Sequence, residues 1–173
     1  MRLSDNPVIS ATRIEKRVAE LAKEISCEYK GRKIVLIVVL KGAVLFAADL
    51  VRKIEIPLEI EFLRAKSYDC DKSTGNVGFT VYPEIDLAGR DVLVVEDILD
   101  TGRTASATLE RIRRANPASV ALCVLLDKPI RRIVPVTPDY VGFEVDDLFV
   151  VGYGLDYNER WRGLSEIYVA EED

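Results

Sequence analysis

VLVVEDILDTGRT, residues 92–104, is the stretch on which the reading of the fold turns. It opens on an unbroken aliphatic run of the kind that fills a strand buried on both faces of a parallel sheet. The run ends in two adjacent carboxylates, Glu96 and Asp97, and after Ile98 and Leu99 comes a third, Asp100. Thr101, Gly102, Arg103 and Thr104 then open a segment of helical period, with Ala105, Leu109 and Ile112 on one face and Glu110, Arg111, Arg113 and Arg114 on the other. A strand feeding into a helix is the unit of an α/β fold, in which ligands bind beyond the carboxyl ends of the strands. The residue types at this junction carry a matching chemistry. Amides at a helix N-terminus attract an anion, Gly102 permits close backbone approach, and the Thr101 and Thr104 hydroxyls add donors for a terminal phosphate. Glu96 and Asp97 can each accept from the hydroxyls of a vicinal diol. Strand-end acids are often merely solvated and Thr-Gly is a common helix entry. The conjunction of phosphate cup and paired acids is more specific, and it describes a ribose 5-phosphate site.

The same alternation extends outward. Residues 33–40, KIVLIVVL, and 119–126, SVALCVLL, repeat the buried-strand pattern, and residues 58–64 are another candidate strand. Ile14, Val18, Leu21, Ala22 and Ile25 fall at helical spacing, Thr12 followed by Glu15 reads as a capping box, and the helix is expected to run to Lys30 and stop at Gly31. A second helix is expected over residues 43–53, and shorter strands near 140–143, 148–151 and 167–170. The expectation is an α/β fold with a central, mainly parallel sheet flanked by helices. Residues 66–78, KSYDCDKSTGNVG, have no period and read as a loop. A loop longer than about 12 residues is uncommon in a compact domain unless it is functional.

Composition narrows the chemistry. The 173 residues suit one domain, and 24 Lys and Arg against 29 Asp and Glu give a net charge of −5. That balance argues against non-specific binding to nucleic acid or an anionic membrane surface. Histidine is absent, which excludes a Ser-His or Cys-His nucleophile pair, a histidine zinc site and a histidine general base. Cys27, Cys70 and Cys123 lack metal or disulfide spacing. With neither an apolar leader after Met1 nor a spanning apolar run, the expected location is cytoplasmic.

The 92–104 segment resembles the signature of the type I phosphoribosyltransferases, which bind 5-phosphoribosyl-1-diphosphate (PRPP). The chain as far as Tyr168 is similar to the hypoxanthine-guanine members, through LKG at 40–42, KSY at 66–68, LLDKP at 125–129, VGFE at 141–144 and FVVGYGLDYNERWR at 149–162. The resemblance implies one phosphoribosyltransferase domain over residues 1–173, with a small hood built largely from the later segments. It implies transfer of the phosphoribosyl group from PRPP to N9 of a 6-oxopurine, giving IMP or GMP and pyrophosphate.

Residue by residue, the resemblance makes Asp100 the acid–base carboxylate, although a helix cap is the plain alternative. Glu96 and Asp97 become the ribose acids, and Thr101, Gly102, Arg103 and Thr104 the 5-phosphate loop. Leu40, Lys41 and Gly42 match a pyrophosphate loop with a non-proline cis peptide between the first two, and Arg162 meets the same anion. Lys128 donates to the purine 6-oxo group, although a lone lysine after a strand is ordinarily exposed. Phe149 stacks on the base with Ile98 on its other face, or else belongs to the core. Val150 offers backbone groups, and Asp156 lies at the base edge and metal region. Mg²⁺ is the implied cofactor, with Glu96, Asp97 and Asp156 as candidate ligands beside PRPP oxygens. Ser67 and Tyr68 are implied lid residues that close over PRPP. The implied partners are PRPP, the purine, the nucleotide product and pyrophosphate, with a homodimer or homotetramer as the assembly and no nucleic acid or membrane. Two alternatives stand beside this: a transferase preferring xanthine, and a nucleotide-responsive regulator of the same fold that binds nucleic acid through a patch such as Arg111 to Arg114 or Arg131 and Arg132.

Overall fold

A computed structural model of the chain describes residues 1–67 and 77–171. In chain order the elements are β1 (Arg2–Leu3), α1 (Ala11–Glu28), β2 (Ile34–Val39), α2 (Val44–Val51), β3 (Leu58–Ser67), β4 (Val77–Val81), β5 (Asp91–Leu99), α3 (Arg103–Arg113), β6 (Ser119–Asp127), β7 (Tyr140–Glu144), β8 (Val150–Val151) and β9 (Tyr168–Glu171). Six strands form one sheet in the order β4-β3-β2-β5-β6-β7. Every pair from β3 to β7 is parallel, and β4 alone joins antiparallel at the edge. A parallel sheet needs cover on both faces, and the residues supply it by alternation. Along β2, Ile34, Leu36 and Val38 pack with Ile14, Val18, Leu21, Ile25, Phe46 and Leu50 of α1 and α2. Val35, Ile37 and Val39 pack on the opposite face with Ala105, Leu109 and Ile112 of α3. Each fully buried aliphatic side chain contributes about 1.5–3 kcal/mol of transfer free energy, so both layers are strongly specified.

The second sheet, in the order β1-β9-β8, is antiparallel and joins the first residues of the chain to the last. It explains why the short terminal strands carry so little periodicity: β1 and β8 have two residues each.

Three expectations need correction. Helix α1 starts earlier than the Thr12–Glu15 pattern implies: Ser10 is the N-cap, its hydroxyl accepting from the Arg13 N–H at 3.4 Å. The Ala11 N–H donates to the Glu166 carboxylate at 3.3 Å, so a residue far along the chain completes the helix start. The aperiodic stretch 66–78 is paired at both ends, where Lys66 faces Gly78 and Ser67 faces Val77 across β3 and β4. Tyr68, the other implied lid residue, and Cys70 lie outside the described residues. The strand expected from residue 148 begins only at Val150. The other expected boundaries hold within three residues or fewer, and Gly31 stands at φ 78° after the end of α1. No helix among the described residues is long and apolar enough to cross a membrane.

Candidate active site

Because β2, β5 and β6 run parallel, the loops that follow them emerge at one edge of the sheet. The loop after β5 is tied to the segment after β6 by backbone bonds. Lys128 N donates to Leu99 O at 3.0 Å, and Ile133 N and Val134 N donate to Thr101 O at 2.9 and 3.0 Å. Gly102 is the N-cap of α3 at φ 82° and has no side chain to cap the helix, while the Thr101 hydroxyl accepts from the Arg103 N–H at a long 3.5 Å. Asp100 therefore does not serve as the helix cap, and apart from that long Thr101 contact no side chain is bonded to the first amides of α3, which an anion needs. A methyl group at Gly102 would also collide with the Val134 carbonyl.

Two adjoining hollows share this edge. The smaller, about 270 Å³, is lined by Glu96, Asp97, Asp100, Thr101, Gly102 and Thr104. The larger, about 580 Å³, gathers Asp97, Ile98, Asp100, Lys128, Phe149, Val150 and Asp156. Arg103, by contrast, turns outward to solvent. Phe149 is 48 % exposed and stands edge-on to Tyr157 with ring centroids 5.8 Å apart, so it is not a core residue. Lys128 departs from the ordinary habit of its residue type: it is only 5 % exposed, and its ammonium donates to the Leu148 carbonyl. Burial pulls its pKa down, while Asp100 and Asp147 act in the opposite sense.

The loop after β2 closes the third side, and its Leu40–Lys41 peptide is cis, as the family resemblance implied. Gly42 lies against both the Asp97 carboxylate and the Gly154 backbone, so closely that a methyl group at Gly42 would overlap Asp97 and one at Gly154 would overlap the Gly42 carbonyl. Arg162 donates to the Gly154 carbonyl at 2.7 Å and pairs with Asp156 at 2.7 Å. Glu159, which sequence reasoning missed, bridges the two cations named for one anion: it pairs with Lys41 at 2.9 Å and Arg162 at 3.2 Å. Its spacing of three residues from both Asp156 and Arg162 is the only signal the sequence offers for it.

Glu96 and Asp97 are electrostatically unusual. Burial, reinforced by the Asp97 charge and opposed by Arg132, pushes Glu96 from 4.5 up to about 8, and its Oε2 has no hydrogen-bond partner. Burial raises Asp97 to about 6 against the opposing hydrogen bonds of the Ile98 and Asp97 amides and the charge of Arg162. Among the described residues no group of three or more His, Cys, Asp or Glu is arranged to hold a metal ion. Asp97 and Asp156 do line one cleft. Such hard oxygen donors, few in number, beside an unpartnered buried carboxylate oxygen, fit a cation that keeps most of its coordination for substrate oxygens and water.

A family model for the phosphoribosyl transferase domain matches residues 9–158. The hypoxanthine phosphoribosyltransferase of Salmonella typhimurium is 44% identical over 163 residues, covering 92% of this chain and 92% of its own. The hypoxanthine-guanine phosphoribosyltransferase of Mycobacterium avium is 44% identical over 167 residues, covering 92% of this chain and 82% of its own. A crystal structure of a Bacillus anthracis hypoxanthine-guanine phosphoribosyltransferase with HEPES in its active site superposes with a TM-score of 0.94 at 38% identity, covering 98% of this chain and 100% of that one. On this sequence match, and with an anion cup, paired acids and a half-exposed aromatic gathered at the sheet edge, the chain belongs to the phosphoribosyltransferase family, with hypoxanthine and hypoxanthine-guanine phosphoribosyltransferases as its relatives.

Proposed function

We propose that the chain is a purine-salvage enzyme that transfers the 5-phosphoribosyl group of PRPP to N9 of hypoxanthine or guanine, releasing pyrophosphate and giving IMP or GMP. The observation that carries this reading is the convergence of Asp100, Lys128 and a half-exposed Phe149 on one cleft that shares a wall with the hollow at the α3 N-terminus. The 5-phosphate occupies the cup of Thr101, Gly102, Arg103 and Thr104, where Arg103 acts through its amide. Glu96 and Asp97 accept from the ribose hydroxyls. The purine lies between Phe149 and Ile98, with Lys128 donating to its 6-oxo oxygen and the Val150 backbone at its edge.

In the transfer the C1–O bond of PRPP breaks ahead of attack, its electron pair leaving with pyrophosphate, and N9 closes on an oxocarbenium-like C1. Asp100 takes the N7 proton as N9 attacks, which keeps positive charge from building on the base. Lys41, Arg162 and the backbone of Leu40 and Gly42 receive the pyrophosphate; Arg162 supplies a planar fork suited to it. Asp97 and Asp156, with Glu96 behind them, would hold Mg²⁺, which when bound neutralises charge on the leaving pyrophosphate. No step needs an enzyme nucleophile, so the lack of histidine is no obstacle.

Initial rates with Mg-PRPP and hypoxanthine, guanine, xanthine or adenine test the reading. Turnover of hypoxanthine or guanine, with none of adenine, is expected, because the Lys128 donor faces a carbonyl in the first two and an amino donor in the last. Adenine used as well as hypoxanthine would overturn it.

A further inference from the structure

Arg131 and Arg132 look, in sequence, like a small basic patch. In the structure Arg132 is largely buried against Asp127, while Arg131 stays half exposed at the rim of the cleft. Pro129–Arg131 form a single 3₁₀ turn directly after Lys128, with the Arg131 N–H donating to the Lys128 carbonyl at 3.1 Å. That turn folds Arg131 back over the ends of β5 and β6, beside Lys128, where it lines the larger cleft. Its Nε lies 3.2 Å from Asp100 Oδ1, and its Nη1 donates to Asp147 Oδ1 at 3.2 Å. Asp100 is divided by this arrangement. Its Oδ1 is buried and without a hydrogen bond, yet the side chain as a whole is 39% exposed. The accessible part of the carboxyl group therefore lies away from the oxygen that Arg131 faces.

Magnitudes separate two explanations for the pair. The Arg131 and Asp147 side chains are 48% and 56% exposed, and ion pairs at that exposure contribute about 0–1 kcal/mol to stability. Stability alone is a weak reason for the contact. A buried carboxylate oxygen without a partner is costly, and a guanidinium beside it offsets that cost while leaving the second oxygen free. Asp147 completes the device. It immediately precedes Leu148, whose carbonyl accepts from Lys128, and Phe149. One arginine thus spans from the loop of the proton acceptor to the loop of the base-stacking aromatic.

We propose that Arg131 is a positioning residue for phosphoribosyl transfer: it holds Oδ1 of Asp100 so that Oδ2 faces the purine, and Asp147 fixes Arg131 from the opposite side. The proposal rests on the assignment of Asp100 as the proton acceptor, and its test separates the two. Steady-state rates with hypoxanthine and Mg-PRPP are measured for the wild type, Arg131→Gln, Arg131→Lys, Asp147→Asn, Asp100→Ala and the Arg131→Gln/Asp100→Ala double variant, each with a thermal melt. Arg131→Gln is expected to lower kcat about 10- to 100-fold, the scale of a misplaced reacting group, with the KM for PRPP within about twofold. Arg131→Lys should recover most of the loss and Asp147→Asn should lose less than Arg131→Gln, all with melting temperatures close to wild type. The double variant should be no slower than Asp100→Ala alone, since an effect exerted through Asp100 disappears with it. Losses that multiply in the double variant, or a wild-type kcat for Arg131→Gln while Asp100→Ala is crippled, would overturn the positioning role and leave the assignment of Asp100 standing. An unchanged kcat for Asp100→Ala would overturn both. Should Arg131→Gln melt early, the rescue by lysine and the coupling to Asp100 decide at a temperature where every variant is folded.

Discussion

Lys128 shows how far one side chain can depart from the habit of its type. A lysine after a strand is ordinarily at the surface, yet here it is buried beneath the loop that carries Phe149, with its ammonium satisfied by the Leu148 carbonyl. That geometry suits a donor to the 6-oxo group, because a charge-assisted bond in a desolvated cleft contributes about 1.5–3 kcal/mol. Lys128→Met, which keeps the stem and removes the donor, is expected to lower kcat/KM for hypoxanthine roughly 10- to 100-fold while the KM for PRPP stays within about twofold. Steady-state kinetics in both substrates checks this, and equal losses toward both would mean that Lys128 serves the whole loop rather than the base. The position of Lys128 was legible from LLDKP only through the family resemblance. Its burial was not, because what covers it arrives some 20 residues later in the chain.

At the scale of elements, the site depends on how closely three backbones approach. The loop after β2 lies between the Asp97 carboxylate at the end of β5 and the Gly154 backbone after β8, and two glycines leave the room for this. Gly42→Ala would force Asp97 or the loop aside, and a displacement of about 1 Å at a reacting centre costs on the order of 100-fold. The expected outcome is a fall of about that size in kcat/KM for PRPP with a melting temperature only modestly lowered, since the clash lies at the sheet edge rather than in the apolar layers. Calorimetry beside kinetics checks it, and an unaffected kcat/KM would show the loop free to yield. The strands and helices that build this edge were readable because their periods are long. Ile14 through Ile25 declare one helix face, and the aliphatic runs of β2, β5 and β6 declare strands covered on both sides. What the sequence did not declare was short or non-local: the Ser10 cap aided by Glu166, the pairing at the ends of β3 and β4, and the two-residue strand β1.

For the molecule as a whole, the buried acids link the site to stability. Glu96 ionises near 8 in the folded protein against an ordinary 4.5, and Asp97 near 6 against 3.8. Between the unfolded and folded values the folded state holds more protons than the unfolded chain, so stability falls as pH rises through that window. Glu59 and Glu159, held low by Lys33 and Lys41 respectively, act in the opposite sense, but both are exposed and their contribution is screened. Melts of the ligand-free protein are therefore expected to show a falling midpoint from about pH 5 to pH 8, and Glu96→Gln should flatten the slope. A midpoint that rises over this range, or a slope unchanged in Glu96→Gln, would contradict the burial of these carboxyls. The α/β order, the two apolar faces of the sheet and the strand-to-helix junction with its three acids follow from local patterns, because they depend on residues adjacent in the chain or spaced by one helical or strand period. Tertiary packing, by contrast, opens Phe149 to a cleft, buries Lys128, joins Lys41 to Arg162 through Glu159 and sets the half-exposed Arg131 against Asp100. Each of these depends on which loops the parallel sheet brings side by side, and no local period encodes that.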